Sequence, residues 1–302
     1  CLIPQNELAD LVIHPEKETA AAVMRLIRQS AATDVIDLVD GKLQLIGIRL
    51  DDTSPILRIP LRELVQRFDN RNIRIVTIHR RDRSTIPRGD DILAAGDQVF
   101  FLCKPQHQSD VISFTGKVKT DISNVMILGG GLVGQFIARD IGKNIHVKIV
   151  ESNEDKAGEI ADLLPRSLII HGDGTDIDLL AVEGLMDMDA FISVTGSDET
   201  NIISTLVARH LRVPRTIALV NTVEYMPVTT TIGMDAVVSK QLLTVNAVQR
   251  YIRQHQIASI ASIPGVDAQI IEFIAKERSK ITRKPLREIG FPPHAFAGAI
   301  VH

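Results

Sequence analysis

Residues 122–235 show short apolar runs separated by amphipathic stretches, a pattern that predicts strands alternating with helices. In the first predicted helix, Leu132–Ile141, the apolar residues Val133 and Ile137 fall on one face. Strands that alternate with helices indicate an α/β fold, a Rossmann-like, doubly wound parallel sheet. The predicted strands are Val125–Leu128, His146–Val150, Leu168–Ile170, Phe191–Val194 and Thr216–Val220, and the predicted helices are Leu132–Ile141, Glu154–Leu164, Glu199–Leu211 and Lys240–Gln254.

Residues 34–112 have a different pattern, with more strand than helix. The one helix predicted here is Leu61–Arg67, and a turn-rich stretch covers Asp90–Asp97. This mixture indicates a small α+β domain. Its predicted strands are Val35–Val39, Leu43–Leu50, Ile73–His79 and Gln98–Leu102.

The chain resembles itself when it is shifted by 225 residues. Within residues 10–29, nine of twenty positions are identical at this offset, where roughly one is expected by chance. Pro60–Glu63 returns unchanged as Pro285–Glu288 at the same offset. We therefore predict a tandem duplication of a two-part unit. The identical pairs in the first block are Asp10/Asp235, Val12/Val237, Thr19/Thr244, Ala22/Ala247, Val23/Val248, Arg25/Arg250, Ile27/Ile252, Arg28/Arg253 and Gln29/Gln254.

The duplication predicts four segments along the chain. Residues 1–30 would be the tail of a first Rossmann domain, and residues 31–115 a first small α+β domain. Residues 122–255 would be a second Rossmann domain, and residues 256–302 an incomplete second small α+β domain. Because the chain starts at a cysteine and stops within an apolar run, we expect a piece of a longer protein.

Composition narrows the function classes. Of 302 residues, 45% are hydrophobic, which is enough to build packed cores. A net charge of −3 gives no support for a nucleic-acid partner, so we expect none. Cys1 and Cys103 match neither a disulfide framework nor metal-ligand spacing, and they fit a reducing cytoplasm. No apolar run reaches the length of a membrane span.

The candidate chemistry begins with a glycine motif after the first strand of the second Rossmann segment. Gly129, Gly131 and Gly134 form a G-x-G-x-x-G sequence that follows an apolar strand and opens a helix. In this context the first glycine permits a tight turn, the second lets the backbone approach a pyrophosphate, and the third allows close helix–strand packing. The backbone at Leu132 and Val133 then offers the helix N-terminus to the phosphates.

Three further candidates follow later strands. Glu151 ends the second strand, where a carboxylate accepts hydrogen bonds from ribose hydroxyls and repels a 2′-phosphate, so NAD(H) is favoured over NADP(H). Asp173, with Gly174, follows the third strand and would accept a hydrogen bond from an adenine amino group, or would form a turn with a helix N-cap. Thr195 follows the fourth strand and would face pyrophosphate or ribose. For Asp198, an N-cap role is favoured.

These motifs together resemble the regulator-of-potassium-conductance family (RCK, also called KTN). The resemblance covers nearly the whole chain and rests on Val125–Gly134, Gly172–Asp176, Thr195–Asn201, Ile86–Asp90 and Ala95–Val99. It implies Rossmann and small C-terminal-type domains, and a nucleotide held by Gly129, Gly131, Gly134, Glu151 and Asp173, with Thr195. It further implies a homo-oligomeric regulatory subunit, cytoplasmic and peripheral on the inner face of the membrane. Its partner would be a potassium-translocating membrane subunit.

The alternative reading is an NAD-dependent dehydrogenase. That enzyme would need an acid–base group near the nicotinamide. Tyr225 and Tyr251 lack a lysine four residues on, and His171 and His210 are more typical of a strand end and a solvated helix face. We therefore favour a binding module without catalytic residues. The ligand among NAD⁺, NADH, ATP and ADP stays open.

Overall fold

The computed structural model describes residues 12–67, 72–81, 83–252, 257–263, 266–277, 279–292 and 294–301. The chain begins with α1 (Pro15–Arg28), whose proline occupies the first turn, where its missing N–H costs no hydrogen bond. Asp10 of the repeat lies outside the described residues, as do Arg253 and Gln254 at the end of the last predicted helix. Within the described ranges, no helix combines the length and the apolar character needed to cross a membrane.

The first small domain is an antiparallel sheet in the strand order β1-β2-β5-β3-β4. The strand β5 lies in the middle, is buried along its whole length, and pairs with β2 and β3. The elements are β1 (Asp34–Leu38), β2 (Leu43–Arg49), α2 (Leu61–Arg67), β3 (Ile73–Arg80), β4 (Arg83–Thr85), β5 (Gln98–Cys103) and α3 (Gln108–Thr115).

The second domain is a six-stranded sheet in the order β11-β10-β9-β6-β7-β8, and all its pairs are parallel. The order reverses between β6 and β9, as in a doubly wound fold, so the fold prediction is confirmed. The elements are β6 (Asn124–Leu128), α4 (Leu132–Ile141), β7 (His146–Glu151), α5 (Glu154–Leu163), β8 (Ser167–His171), α6 (Ile177–Val182), β9 (Ala190–Ser193), α7 (Asp198–His210), β10 (Arg215–Leu219), α8 (Met226–Thr231), β11 (Ala236–Val238) and α9 (Lys240–Ile252).

The structure repeats itself with the offset that the sequence predicts. The first residues of α1 and α9, Pro15 and Lys240, are 225 positions apart. The last two strands, β12 (Ile257–Ser262) and β13 (Gln269–Phe273), pair Ser259 with Glu272. At the same offset, β1 and β2 pair Asp34 with Gly47. The antiparallel register is thus the same in both copies, which two unrelated hairpins would not be expected to share.

Tertiary packing joins the predicted segments. The helix α1 packs on α4 and on α9, so the tail of one repeat covers the first helix of the other. One continuous apolar cluster includes Val23 of α1, Phe101 of the small domain and Ile137 of α4. A second cluster packs Ile263 and Ile270 of the last hairpin region against the small domain's sheet. The limits of the four segments remain predictions.

A charged side chain also crosses between domains. Arg215, at the start of β10, is 4% exposed, and its guanidinium donates to the carbonyl oxygen of Ala32 just before β1. Burial lowers the pKa of Arg215 to about 10, while the carboxylates of Asp235 and Asp34 act in the opposite direction. The nucleotide-type domain and the first small domain are therefore joined by a buried polar contact as well as by apolar packing.

The repeat supplies a matched pair for testing this packing. Val23 is fully buried, whereas Val248, its counterpart in α9, is 37% exposed. We predict that Val23→Asp lowers the free energy of unfolding by roughly 3–5 kcal/mol, because it buries an unpaired charge. Within a single copy of the chain, Val248→Asp should cost less than about 1 kcal/mol. Urea unfolding of both variants measures the difference, and equal losses would contradict the packing of α1 described above.

Candidate functional site

Four loops meet at the carboxyl edge of the parallel sheet. They follow β6, β7, β8 and β9, and every residue predicted for nucleotide binding lies in one of them or at the end of a strand or helix next to it. Backbone hydrogen bonds join the loops: Gly129 donates to Val150 at 2.9 Å, Gly172 donates to Glu151 at 2.9 Å, and Val194 donates to Leu128 at 2.8 Å. The structure therefore brings the predicted residues together in one place.

At two positions of the motif there is no room for a side chain, so glycine is required. Gly129 has a φ of +105°, a backbone conformation that strains other residues, and a Cβ there would meet the Thr195 nitrogen at 3.0 Å. A Cβ on Gly134 would lie 2.1 Å from the carbonyl oxygen of Gly129. The glycine at the third motif position thus lets α4 approach the loop closely, as the sequence motif predicts.

Gly131 is different, because a Cβ added there would meet no described atom within 4 Å beyond its own chain neighbours. It is the N-cap of α4 and provides no side-chain cap. The first N–H groups of a helix lack partners within that helix, so the turn that starts at Leu132 and Val133 presents donors and a positive dipole end. Val133 itself is buried in the core, and Leu132 is 58% exposed. The space beside Gly131 is therefore open next to these donors.

Glu151 ends β7 as a buried carboxylate. Its Oε2 accepts hydrogen bonds from the Gly130 nitrogen at 3.0 Å and from Lys156 Nζ at 2.6 Å, and its Oε1 accepts one from the Asn153 nitrogen at 3.1 Å. Burial raises the pKa of Glu151, but the bonds from Lys156, Asn153 and Gly130 outweigh it, so the pKa lies below its usual value. Glu151 is therefore a carboxylate at neutral pH, fixed to the glycine loop. The role of Lys156 was not predicted from the sequence, since its contact with Glu151 depends on the first turn of α5.

The loop after β8 holds Asp173 and Gly174. Asp173 is exposed, and one of its oxygens accepts from both the nitrogen and the hydroxyl of Thr175, at 2.8 Å each. These bonds lower the pKa of Asp173. The turn predicted as the alternative role of Asp173 is present. The N-cap of the following helix, α6, is Asp176 and not Asp173. A Cβ on Gly174 would lie 1.9 Å from Leu128 Cδ1, so this loop packs tightly on β6.

Thr195 is held by a buried amide. The Oδ1 of Asn201 accepts from the Thr195 nitrogen at 2.9 Å and from its hydroxyl at 2.7 Å. The Nδ2 of Asn201 donates to the carbonyl oxygens of Thr195 at 3.2 Å and Leu219 at 2.9 Å. Because Asn201 is fully buried, it fixes the loop after β9 to the end of β10. The sequence placed Asn201 on this helix without assigning it this role.

The N-cap role expected for Asp198 is wrong. Ser197 caps α7, because its side chain accepts from the Thr200 nitrogen. Asp198 is the next residue and is buried, and its carboxylate accepts from the nitrogens of Asn221 and Thr222. The acid therefore anchors the loop after β10. A serine one position earlier was an equally good cap, and the chain pattern alone does not separate the two.

These loops form a coherent arrangement. An open glycine turn leads into a helix N-terminus, a fixed carboxylate ends the next strand, and polar loops flank the turn on the other strands. This is the arrangement of a Rossmann-type nucleotide-binding fold.

Two family models match the chain. The TrkA-N domain matches residues 125–240, which include β6 to β11 and the four loops. The TrkA-C domain matches residues 45–116, within the first small domain. The order is thus a C-type domain followed by an N-type domain, as the predicted duplication requires.

Among curated proteins, the Trk system potassium uptake protein trkA homolog 1 of Methanosarcina mazei is 32% identical over 288 residues, covering 95% of this chain and 70% of the relative. The Trk system potassium uptake protein TrkA of Azorhizobium caulinodans is 31% identical over 295 residues, covering 97% of this chain. The chain spans only 64% of the length of that second relative. It belongs to the TrkA family of Trk system potassium uptake proteins.

Solved structures show the same fold. The GsuK RCK domain superposes with a TM-score of 0.55 at 20% identity, covering 82% of this chain and 52% of that one. The GsuK channel bound to NAD superposes with a TM-score of 0.54 at 20% identity, covering 82% of this chain and 44% of that one. The RCK resemblance of the sequence motifs is thereby confirmed at the level of fold.

The last two motif glycines predict effects of different size on stability. We predict that Gly134→Val lowers the free energy of unfolding by roughly 2–4 kcal/mol, because its side chain collides with the Gly129 carbonyl. Gly131→Val should change it by less than about 1 kcal/mol, since its side chain enters open space. Thermal and urea unfolding measure both, and a Gly134 variant as stable as wild type would refute the close helix–loop approach.

Proposed function

We propose that this chain is a regulatory, nucleotide-binding part of a peripheral cytoplasmic subunit in a Trk-type potassium uptake system. NAD(H) is the proposed ligand, with ATP or ADP as the alternatives. The observation that carries the proposal is the open, donor-rich turn at Gly131, surrounded by the other three loops, in a chain whose relatives are named for potassium uptake. A superposing channel structure is described as bound to NAD, which supports that choice of ligand.

Each predicted residue then has a role in binding. Gly129 and Gly134 shape the turn, while the backbone from Gly131 to Val133 receives the phosphates. Glu151 accepts from the ribose at Oε1, where a ribose hydroxyl replaces the long contact of 3.5 Å from the Ser152 hydroxyl. Asp173 faces the adenine from an exposed turn, with Gly174 packing the turn on β6. Thr195 stands beside the phosphates, held in place by Asn201.

The strand β10 offers a path from this site to the small domain. At its carboxyl end, the Leu219 carbonyl oxygen is bound by Asn201, which also holds Thr195. At its amino end, Arg215 donates to Ala32 beside β1. A ligand that moves the loop after β9 therefore acts on a strand whose other end contacts the small domain. In this proposal, nucleotide binding favours one arrangement of the domains over another, and the membrane subunit that translocates potassium responds to that arrangement.

Nucleotide titration tests the ligand site. We predict that NADH binds the wild-type chain, and that Gly131→Val abolishes binding while the circular dichroism spectrum stays unchanged, because the side chain fills the phosphate space. Glu151→Ala should weaken NADH binding by roughly 1–3 kcal/mol, the cost of losing a charged hydrogen bond. Isothermal titration calorimetry with NAD⁺, NADH, ATP and ADP measures these affinities.

Two outcomes would refute this site. Undiminished NADH binding by the Gly131 variant would mean that the ligand lies elsewhere, and unchanged affinity of the Glu151 variant would remove the ribose role of that carboxylate. Tighter binding of ATP or ADP than of either dinucleotide would replace NAD(H) as the proposed ligand. The stability of the Gly131 variant, measured as above, is the control against loss of fold.

An NAD-dependent dehydrogenase is the second candidate function, and only the Rossmann-type fold supports it. The Tyr225 hydroxyl donates to Glu199 at 3.0 Å, and the His171 ring nitrogen lies 3.2 Å from the Ser152 carbonyl oxygen. Neither arrangement supplies the acid–base pair that hydride transfer to a carbonyl uses. Loss of NADH absorbance with simple ketones or aldehydes would favour the enzyme, and none is expected.

The α9 surface carries the proposed assembly. In α1, Ala20 and Val23 are almost fully buried, whereas their repeat counterparts Val245 and Val248 in α9 are 42% and 37% exposed. Corresponding positions in the two repeats are thus covered in one helix and open in the other. We propose that this apolar face contacts a second copy of the chain in a homo-oligomer.

Light scattering tests that contact. We predict that Val245→Asp combined with Val248→Asp reduces the oligomer size while NADH binding persists, because charges in an apolar contact are costly. Gln241→Asp, at an exposed position on the same helix, is the control for added charge. An unchanged size in the double variant would remove this face from the interface.

A further inference from the structure

An ion pair stands at the end of β7, where the proposed function places the ribose. Lys156 Nζ lies 2.6 Å from Glu151 Oε2, and the two side chains are 40% and 8% exposed. Lys156 occupies the first turn of α5, and its backbone nitrogen is fixed by the N-cap Asn153 at 2.8 Å. The pair is therefore held by the start of a helix, with the ammonium on the outer side and the carboxylate on the inner side.

Both oxygens of the Glu151 carboxylate already accept hydrogen bonds. Glu151 Oε2 accepts from the Gly130 nitrogen as well as from Lys156, and Oε1 accepts from the Asn153 nitrogen. A ligand that arrives from solvent consequently meets the ammonium of Lys156, which has two further N–H donors, beside a carboxylate whose charge is already paired. In a Rossmann fold, an acid at the end of the second strand usually repels a ribose 2′-phosphate. That expectation assumes a carboxylate without a bound cation, whereas Glu151 is paired with Lys156.

Resting on the proposed function, we infer that Lys156 is a specificity-determining residue of the nucleotide site, and that it sets the preference between a ribose 2′-hydroxyl and a ribose 2′-phosphate. With Lys156 present, the charge of Glu151 is balanced, and an ammonium donor faces the substituent on the 2′-carbon. A hydroxyl group is neutral, so its binding depends little on this balance. A phosphate carries about two negative charges, so its binding depends strongly on it.

The charges near Lys156 determine in which direction each substitution changes the preference between NADH and NADPH. The other charged side chains in the first turn of α5 are the carboxylates of Glu154 and Asp155. Removing Lys156 leaves Glu151 unpaired next to these two acids, which adds repulsion against a 2′-phosphate and removes its nearest cation. Removing the charge of Glu151 instead frees the ammonium for the phosphate. The two substitutions must therefore move the selectivity in opposite directions.

The experiment measures NADPH and NADH affinities side by side by calorimetry at fixed, low ionic strength. The quantity of interest is the ratio of the dissociation constants, Kd for NADPH divided by Kd for NADH. In Lys156→Gln this ratio should rise at least about tenfold over wild type, and in Glu151→Gln it should fall by a similar factor. Lys143→Gln removes an equal charge from an exposed site between α4 and β7 and should leave the ratio unchanged. Thermal unfolding of each variant checks the fold.

Each outcome decides the matter. A ratio that is unchanged in Lys156→Gln overturns the inference, and so does an equal loss of both ligands, which would show that Lys156 only holds Glu151 in place. A shift of the same size in the ratio for Lys143→Gln would show that the effect comes from the net charge of the protein, and this result also overturns the inference. If wild type binds neither NADH nor NADPH, the proposed function fails, a result that is distinct from NADH binding with unaltered selectivity. A salt titration should shrink the ratio difference between wild type and Lys156→Gln, because added ions screen a partly exposed charge.

Discussion

The close approach of α4 to the glycine loop is the constraint on which the site depends. The helix can lie this near the Gly129 carbonyl only because residue 134 has no side chain. That approach places the first turn of α4 at the sheet edge, next to the carboxylate that ends β7 and binds the Gly130 nitrogen. It also leaves the outer side of α4 open to α1, which packs there. The same helix thus contributes to the candidate site at its first turn and to the contact between the two repeats on its outer side.

Much of this arrangement follows from local sequence. The helix Leu132–Ile141 has the predicted limits, and β7, β8, β9 and β10 differ from prediction by one residue at an end or at both. Strong periodicity and glycine spacing are local signals, so they were sufficient. The strand β11, with three residues, and the short helix α6 were missed because runs this short carry no period. The small-domain strand β4, again with three residues, was missed for the same reason.

The positions of the candidate site residues could be predicted from the sequence, but the side chains that they contact could not. Glycines and strand-end acids are recognised by spacing, and these lie where they were expected. Lys156, Asn201 and the anchoring role of Asp198 depend on contacts between different elements, which spacing along one chain does not reveal. The interdomain bond of Arg215 joins residues 183 positions apart, so no local pattern predicts it.

The packing of α1 has a practical consequence for dissecting the protein. The sequence suggests residues 122–255 as a self-contained unit for expression, but one apolar cluster runs from the small domain through α1 into this sheet. A fragment cut at residue 122 would bring the covered side of α4 into water and leave the guanidinium of Arg215 without the Ala32 carbonyl oxygen. Such a fragment would be inclined to aggregate, and weak nucleotide binding by it would reflect lost packing. The smallest piece suited to ligand studies therefore begins before Pro15.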